Sequence, residues 1–184
     1  DDFYYEIIDS TKAVNGTFRF ELQISQTTFA YLYYNQEIQL HNFIIEPGII
    51  KIQGDAEDAW MLNGTGTPMN DKYNALMKNI GTTDDSESST EQIKDRIIEI
   101  IRKEMNTGDG DEYRLLLIEN SFTSGIHPVE LLKYFETLTE SLKSSDHAKE
   151  VQEYLYRLAR VYPQSEGSDI IPKFINKSFQ FLYI

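Results

Sequence analysis

The chain contains no cysteine among its 184 residues. It can therefore form no disulfide, carry no thiol nucleophile or Cys-x-x-Cys redox pair, and bind no zinc or iron–sulfur cluster through thiolates. It also lacks a run of about 18 apolar residues, the length that a membrane-spanning helix needs. These absences exclude thiol chemistry within the chain and predict that no segment spans a membrane.

Positive charge is scarce in this sequence. The 17 Lys and Arg residues are outnumbered by 30 Asp and Glu, which gives a formal net charge of −13. An acidic excess of this size repels phosphate backbones and anionic bilayers, so we expect no nucleic-acid partner. The hydrophobic share of 40%, with 12 Tyr and 10 Phe, is sufficient for a folded core.

Residues 1–66 have the pattern of an antiparallel β domain. Aromatic and β-branched residues occur there in short runs between turn residues. The clearest strand pattern is Thr17–Ser25, which follows an Asn-Gly pair that suits the positive φ of a type I′ hairpin turn. Two more hairpins are predicted, around residues 35–36 and around the Glu-Pro-Gly turn at residues 46–48. The expected architecture is an antiparallel β-sandwich or partial barrel.

Residues 67–163 change to the period of about 3.6 residues that is typical of amphipathic helices. Capping residues and prolines mark the expected helix starts, which are Thr67 with Pro68, Thr90, Pro128, and Ser144 or Ser145. A third helix, Glu112–Asn120, carries four consecutive apolar residues and is predicted to be buried nearly all round. About five helices are expected, so the predicted fold class is α+β.

The C-terminal tail, residues 164–184, differs in composition from both preceding segments. Its run Phe174–Ile184 is apolar and aromatic, which predicts a strand or a buried cover. The chain is therefore predicted to comprise a β domain at 1–66, a helical segment packed on it at 67–163, and this tail.

Four motifs follow one another along the chain: N-G-T-F-R-F from Asn15, F-I-I-E-P-G-I-I-K-I-Q-G-D from Phe43, L-N-G-T-G-T-P-M-N-D from Leu62, and then a helical segment. Together they resemble the domain of unknown function that precedes the thioredoxin-like domain in Bacteroides-type envelope thiol:disulfide interchange proteins. The similarity covers residues 3–80, and residues 93–162 resemble the helical linker that follows that domain. The lettering of residues 167–174 is similar to the opening of the thioredoxin-like domain, so the chain resembles a family member without its catalytic half.

This resemblance implies a non-catalytic accessory or interaction module of the cell envelope. The module would position a redox domain or a client protein, without a cofactor and without catalytic residues of its own. The implied location is the periplasm or the outer membrane, with attachment through a lipid anchor upstream of the chain. A protein is the implied partner.

The densest aromatic part of the sequence offers an alternative function. Strand-like alternation leaves some of its rings on the sheet surface, where Tyr31, Tyr33, Tyr34 and Trp60 would serve as partner-binding residues. Such a surface is typical of a peptide- or carbohydrate-binding module. The competing interpretation, which we favour, is that these rings cover the helical layer from within.

Acidic residues between the predicted strands offer a second alternative, a small hydrolase with a carboxylate pair. The candidate acids are Glu46, Asp55, Glu57 and Asp58. Acids in connecting loops are also expected by chance in a chain of this charge. The three histidines, His41, His127 and His147, lack the spacing of a metal site, so no metal is predicted, and His127 before Pro128 is interpreted as the start of a helix.

Overall fold

The computed structural model describes residues 5–34, 38–53, 63–81, 89–107, 110–121, 125–162 and 179–183. The strands are β1 (Tyr5–Ser10), β2 (Thr28–Tyr34), β3 (Ile38–Ile45), β4 (Lys51–Gln53), β5 (Asn63–Thr65) and β6 (Phe179–Tyr183). The helices are α1 (Pro68–Gly81), α2 (Thr90–Asn106), α3 (Asp111–Ser121), α4 (Pro128–Glu136), α5 (Glu140–Lys143) and α6 (Asp146–Val161). The predicted α+β class is confirmed.

The strands form one mixed sheet and one small antiparallel pair. In the four-stranded sheet the order is β1-β6-β2-β3, with β2 and β3 antiparallel and β6 parallel to both of its neighbours. The pair consists of β4 and β5. The prediction of a purely antiparallel arrangement is therefore wrong, because the C-terminal strand enters the sheet in parallel. No closed barrel or sandwich is formed by the strands that the structure describes.

Two of the three predicted hairpins differ from the structure. The antiparallel pairing of β2 with β3 is confirmed, and its turn at residues 35–37 lies outside the described residues. The Glu-Pro-Gly turn does not form a hairpin of β3 with β4, because β4 pairs with β5 instead. The Asn15-Gly16 turn does form, with φ of 52° and 74°, yet it joins only an isolated bridge between Val14 and Thr17.

The segment Thr17–Ser25 is not a strand, so that prediction is wrong. Exposure nevertheless alternates along the segment. The odd-numbered residues are exposed, and the even-numbered residues are half-buried and pack against a core cluster. These half-buried residues are Phe18, Phe20, Leu22 and Ile24. The cluster itself is contributed by β2 and β3 through Ala30, Leu32, Phe43 and Ile45. Alternation of apolar and polar residues indicates which side of a segment is buried. A strand also needs a neighbouring strand whose backbone N–H and C=O groups are free to pair with it.

The helices follow the predicted starts closely. Helix α2 is capped one residue earlier than expected, by Ser89 in a capping box with Gln92. In α3, the four residues Leu115 to Ile118 are all buried, as predicted. The predicted fourth helix is divided into α4 and α5 at residues 137–139, and α6 begins after the Ser145 cap. None of the described helices combines the length and apolar character that crossing a membrane requires.

The chain divides into two compact units, and the boundary falls within α1. The first unit comprises Asp1–Ala75 and Phe174–Ile184, and the second comprises Leu76–Lys173. In the second unit, α4 packs on α6, and α3 contacts both α2 and α4. The C-terminal strand β6 thus belongs to the first unit. Residues 167–174, which were predicted to resemble the opening of a thioredoxin-like domain, lie outside the described residues.

Candidate functional site

The aromatic residues proposed for partner binding are only partly placed. Tyr31 and Tyr33 are half-buried and lie on the same side of β2 as Phe29, because side chains alternate along a strand. Phe29 packs edge-on against Tyr73 of α1, with the ring centroids 5.1 Å apart. The side chain of Tyr34 and the whole of Trp60 lie outside the described residues. The described tyrosines are therefore on the side of the sheet that carries the first part of α1.

The carboxylate of Glu46 lies at the N-terminus of α1. It is 8% exposed, and its Oε1 accepts hydrogen bonds from the backbone N–H groups of Met69 at 2.8 Å and Asn70 at 3.0 Å. The first N–H groups of a helix have no partner within the helix, and the helix dipole favours a negative charge beside them. Glu46, one of the proposed hydrolytic acids, thus acts as a cap supplied by the end of β3.

The side chain of Asn70 joins the same helix to the sheet. Its Nδ2 donates to the backbone oxygen of Ile44 at 2.7 Å, and its Oδ1 accepts from the backbone N–H of Ile44 at 2.9 Å. One amide side chain therefore pairs with both backbone groups of one strand residue. Nδ2 also donates to the hydroxyl of Thr67 at 2.8 Å, although Thr67 was expected to cap the helix itself. We call Glu46, Thr67 and Asn70 the Glu46 cluster.

Two glycines allow the Glu46 cluster to close. Gly48 has a φ of 137°, and a Cβ there would lie 2.8 Å from Cγ2 of Thr67. A Cβ on Gly64 would lie 3.0 Å from Cβ of Phe43 and 3.1 Å from Oδ1 of Asn70, so a side chain there would press on both neighbours. The backbone conformation of Gly48 favours glycine, because other residues rarely adopt such a positive φ. Each of the two glycines belongs to one of the sequence motifs quoted above, so both motifs contribute residues to this helix cap.

A buried tyrosine completes the contact between α1 and the sheet. The hydroxyl of Tyr73 accepts a hydrogen bond from Nδ2 of Asn42 at 2.6 Å. Burial raises the pKa of Tyr73 to about 12, and the bond from Asn42 opposes part of that rise. The neutral phenol is thus favoured in the folded protein over the phenolate.

Alkaline pH is therefore expected to weaken the first unit. A folded-state pKa above the unfolded value of about 10 contributes stability that is complete below pH ~10 and is lost as pH rises towards 12. The variant Tyr73→Phe should show a shallower loss of unfolding free energy over this range, measured by urea titration at several pH values. Equal pH dependence in the variant and the original chain would contradict this expectation.

In the second unit, a buried arginine holds three helices together. Arg114 of α3 is 7% exposed. Its Nε donates to the backbone oxygen of Met105 at the end of α2, at 2.8 Å, and its guanidinium also donates to the hydroxyl of Thr137 after α4. Asp111 lies 3.3 Å from Nη1. Hydrogen bonds from Thr139, followed by the charge of Arg114, lower the pKa of Asp111.

A second ion pair joins α2 to α4 within the same unit. Arg102 forms a two-pronged contact with Glu130, through Nε to Oε1 at 2.7 Å and Nη2 to Oε2 at 2.8 Å. Glu99 accepts from the remaining nitrogen at 2.6 Å. The hydrogen bonds from Arg102 lower the pKa of Glu130. Parallel contacts of this kind fix the relative orientation of the two helices.

Two of the three histidines, His127 and His147, take structural positions among the described residues. His127 caps α4 as expected, since its Nδ1 accepts from the backbone N–H of Val129 at 3.2 Å while Nε2 donates to the backbone oxygen of Tyr162 at 3.0 Å. Nε2 of His147 lies 3.2 Å from a carboxylate oxygen of Glu119. The side chain of His41 is outside the described residues. Among the residues that are described, no three histidine or acidic side chains come together in a way that could hold a metal.

Sequence reasoning missed two buried polar residues, Asn70 and Arg114. A signal existed for Arg114, because it is a lone cation directly before four apolar residues in a helix predicted to be buried all round. For Asn70, the local sequence indicated only the start of a helix and gave no sign of a contact with the sheet. The other proposed acids, Asp55, Glu57 and Asp58, lie outside the described residues.

One family model matches the first part of the chain. Residues 3–73 match the family model described as Domain of unknown function (DUF4369). No curated protein and no solved structure matches the chain. The matched range contains the Glu46 cluster and both of its glycines. The resemblance of this part to a domain of unknown function is thereby confirmed, and over residues 3–73 the chain is similar to DUF4369.

Proposed function

We propose that the chain is a non-catalytic interaction module of the cell envelope that positions a redox domain or a client protein. The observation that carries this proposal is that the buried polar side chains of the described residues hydrogen-bond to neighbouring protein groups. These buried side chains are Glu46, Thr67, Asn70, Arg114 and Ser121. Each is hydrogen-bonded to a neighbouring group of its own unit. Polar groups committed in this way favour a rigid scaffold over a reaction centre.

The envelope location and the link to thioredoxin-like domains rest on the resemblance of the motifs. The match of residues 3–73 to a domain of unknown function supports the first half of that resemblance. The proposal therefore includes attachment in the periplasm or at the outer membrane, through a lipid anchor upstream of the chain. The proposed partner is a thioredoxin-like domain or one of its protein clients.

The test is a binding titration between the full chain and a purified thioredoxin-like oxidoreductase from the same genome. We expect saturable binding by calorimetry, in the micromolar range that corresponds to about −8 kcal/mol. The full chain alone should not reduce insulin disulfides. Absence of binding to the oxidoreductase and to its disulfide-bearing clients would contradict the proposal.

One observation favours the peptide- or carbohydrate-binding alternative. Tyr31 and Tyr33 share one side of β2 and each keeps part of its surface exposed. Titration with oligosaccharides and extended peptides tests this function, with Tyr33→Ala as the variant and Tyr156→Ala on α6 as the matched control. Binding that is lost only in Tyr33→Ala would replace the scaffold proposal. Glu46 gives the hydrolase alternative no support, because α1 occupies its carboxylate.

A further inference from the structure

The triplet Asn-Gly-Thr occurs twice in the chain, at residues 15–17 and at residues 63–65. An asparagine that precedes glycine is prone to lose its side-chain amide, because glycine has no Cβ to shield its backbone nitrogen from the preceding side chain. The two triplets are identical, so they share the same local chemistry. A large difference in reactivity between Asn15 and Asn63 therefore has to come from the fold.

The first triplet lies in an exposed turn. Val14 and Thr17 pair across this turn, with N–H to oxygen contacts of 2.9 Å and 3.1 Å between their backbones. Asn15 and Gly16 are both exposed, and in a two-residue turn of this kind the central N–H groups lie outside the pairing. Apart from its chain neighbours, no atom of the described residues lies within 4 Å of a Cβ built on Gly16. Water and base therefore have open access to the peptide bond between Asn15 and Gly16.

The second triplet lies in a paired and covered strand. It forms β5, which pairs in antiparallel fashion with β4. Gly64 is buried, and a Cβ there would lie 3.0 Å from Cβ of Phe43. Its backbone oxygen accepts a hydrogen bond from the side chain of Asn74 in α1 at 2.5 Å. Access of solvent to the backbone of Gly64 therefore requires β5 to separate from its neighbours.

Loss of the amide begins with closure of a ring, which depends on local opening of the structure. The ring forms after rotation about the bond between Cα and the carbonyl carbon of the asparagine, away from the values of strands and turns. At Asn15 this rotation breaks one isolated surface bridge, whereas at Asn63 it breaks a strand pair and uncovers Gly64. Exposed turns open at a small cost in free energy, and covered strands open at a larger one. The fold therefore favours reaction at Asn15 and protects Asn63.

We propose that Asn15 is a site of spontaneous modification in the folded chain, where the asparagine is converted into aspartate and isoaspartate. Base removes the proton from the backbone nitrogen of Gly16, this nitrogen bonds to Cγ of Asn15, and the side-chain nitrogen takes up a proton and leaves as ammonia. Water then opens the resulting succinimide ring at either of its carbonyls, which yields the two products without any oxidation or reduction. This inference rests on the geometry of the turn and is independent of the proposed envelope function.

The modification changes the turn in two ways. Either product adds a negative charge to a chain whose formal charge is already −13. Isoaspartate also lengthens the main chain by a methylene group just before Phe18 and Phe20, which pack against the core cluster of β2 and β3. The packing of the segment that follows the turn is therefore directly exposed to this change.

The test follows both triplets in one sample. The full chain is kept at mildly alkaline pH in water enriched in heavy oxygen, transferred to ordinary water and digested with trypsin, which separates Ala13–Arg19 from Ile52–Lys72. Opening of the ring incorporates an oxygen atom from the solvent, so mass spectrometry measures the modified fraction at each site. We expect conversion at Asn15 to be at least about ten-fold faster than at Asn63, a ratio that corresponds to about 1.4 kcal/mol in the free energy of opening.

Two controls separate the effect of the fold from that of the local sequence. In urea, where the chain is unfolded, the two triplets should react at similar rates, because β5 no longer protects Asn63. The variant Asn15→Gln has to close a larger ring, so modification at this position should be lost while the slow reaction at Asn63 is unchanged. Equal rates at the two triplets in the folded chain, or a reaction at Asn15 that occurs only in urea, would overturn the proposal.

Discussion

Replacing Asn70 with alanine is expected to lower the free energy of unfolding by about 3 kcal/mol. Asn70 is 1% exposed, and its amide is bonded to both the N–H and the C=O of Ile44. Alanine would leave both buried backbone groups without this partner, and each such loss costs about 1–3 kcal/mol. Urea titration followed by circular dichroism measures the change.

The control for Asn70→Ala is Lys78→Ala, which also truncates a polar side chain to alanine, at an exposed position of the same helix. Alanine is a good helix former, so Lys78→Ala should change stability by no more than about 0.5 kcal/mol. Asn70→Asp should also destabilise, because a carboxylate cannot donate to Ile44. Similar stabilities of the two alanine variants would show that the pairing with Ile44 contributes little.

Replacing Arg114 with alanine is expected to cost about 3 kcal/mol of unfolding free energy. The substitution removes a buried guanidinium that donates to the backbone oxygen of Met105 and to the hydroxyl of Thr137. The side chain of Asp111, 23% exposed, would lose its charged partner at the same time. Because these groups come from α2, α3 and the end of α4, the packing of the second unit should weaken. Thermal and urea unfolding both report this change.

Two further arginine variants make the Arg114 prediction specific. Arg96 is exposed on α2, so Arg96→Ala should alter the free energy of unfolding by no more than about 0.5 kcal/mol. Arg114→Lys keeps the charge but lacks the planar fork that reaches several acceptors, so it should recover only part of the loss. A full recovery with lysine would mean that charge alone, without the fork geometry, stabilises this position.

The helices could be predicted from the sequence because their signals are local. Period, caps and prolines all lie within a few residues of one another, and α1 and α6 follow them closely. The division between α4 and α5 escaped prediction for a tertiary reason. There the hydroxyl of Thr137 donates to the backbone oxygen of Tyr134 and accepts from Arg114, which is distant in sequence.

The sheet was predicted less well because pairing is not a local property. Alternation over Thr17–Ser25 correctly indicated one buried side, yet no strand formed there. The parallel entry of β6 depends on a segment at the other end of the chain. Of the candidate site, the motif around Glu46 was recognised, but its capping role required knowing that the end of β3 meets the start of α1.

The pairing of Asn70 with Ile44 also affects how folded molecules meet one another. Within the described sheet β3 is an edge strand, and it is eight residues long. Free N–H and C=O groups on such an edge can recruit a strand from another molecule and start a growing fibril. At Ile44 both groups are already occupied by a helix side chain, which offers nothing for a further strand to bind. The same amide therefore blocks pairing with another strand at this position of the edge.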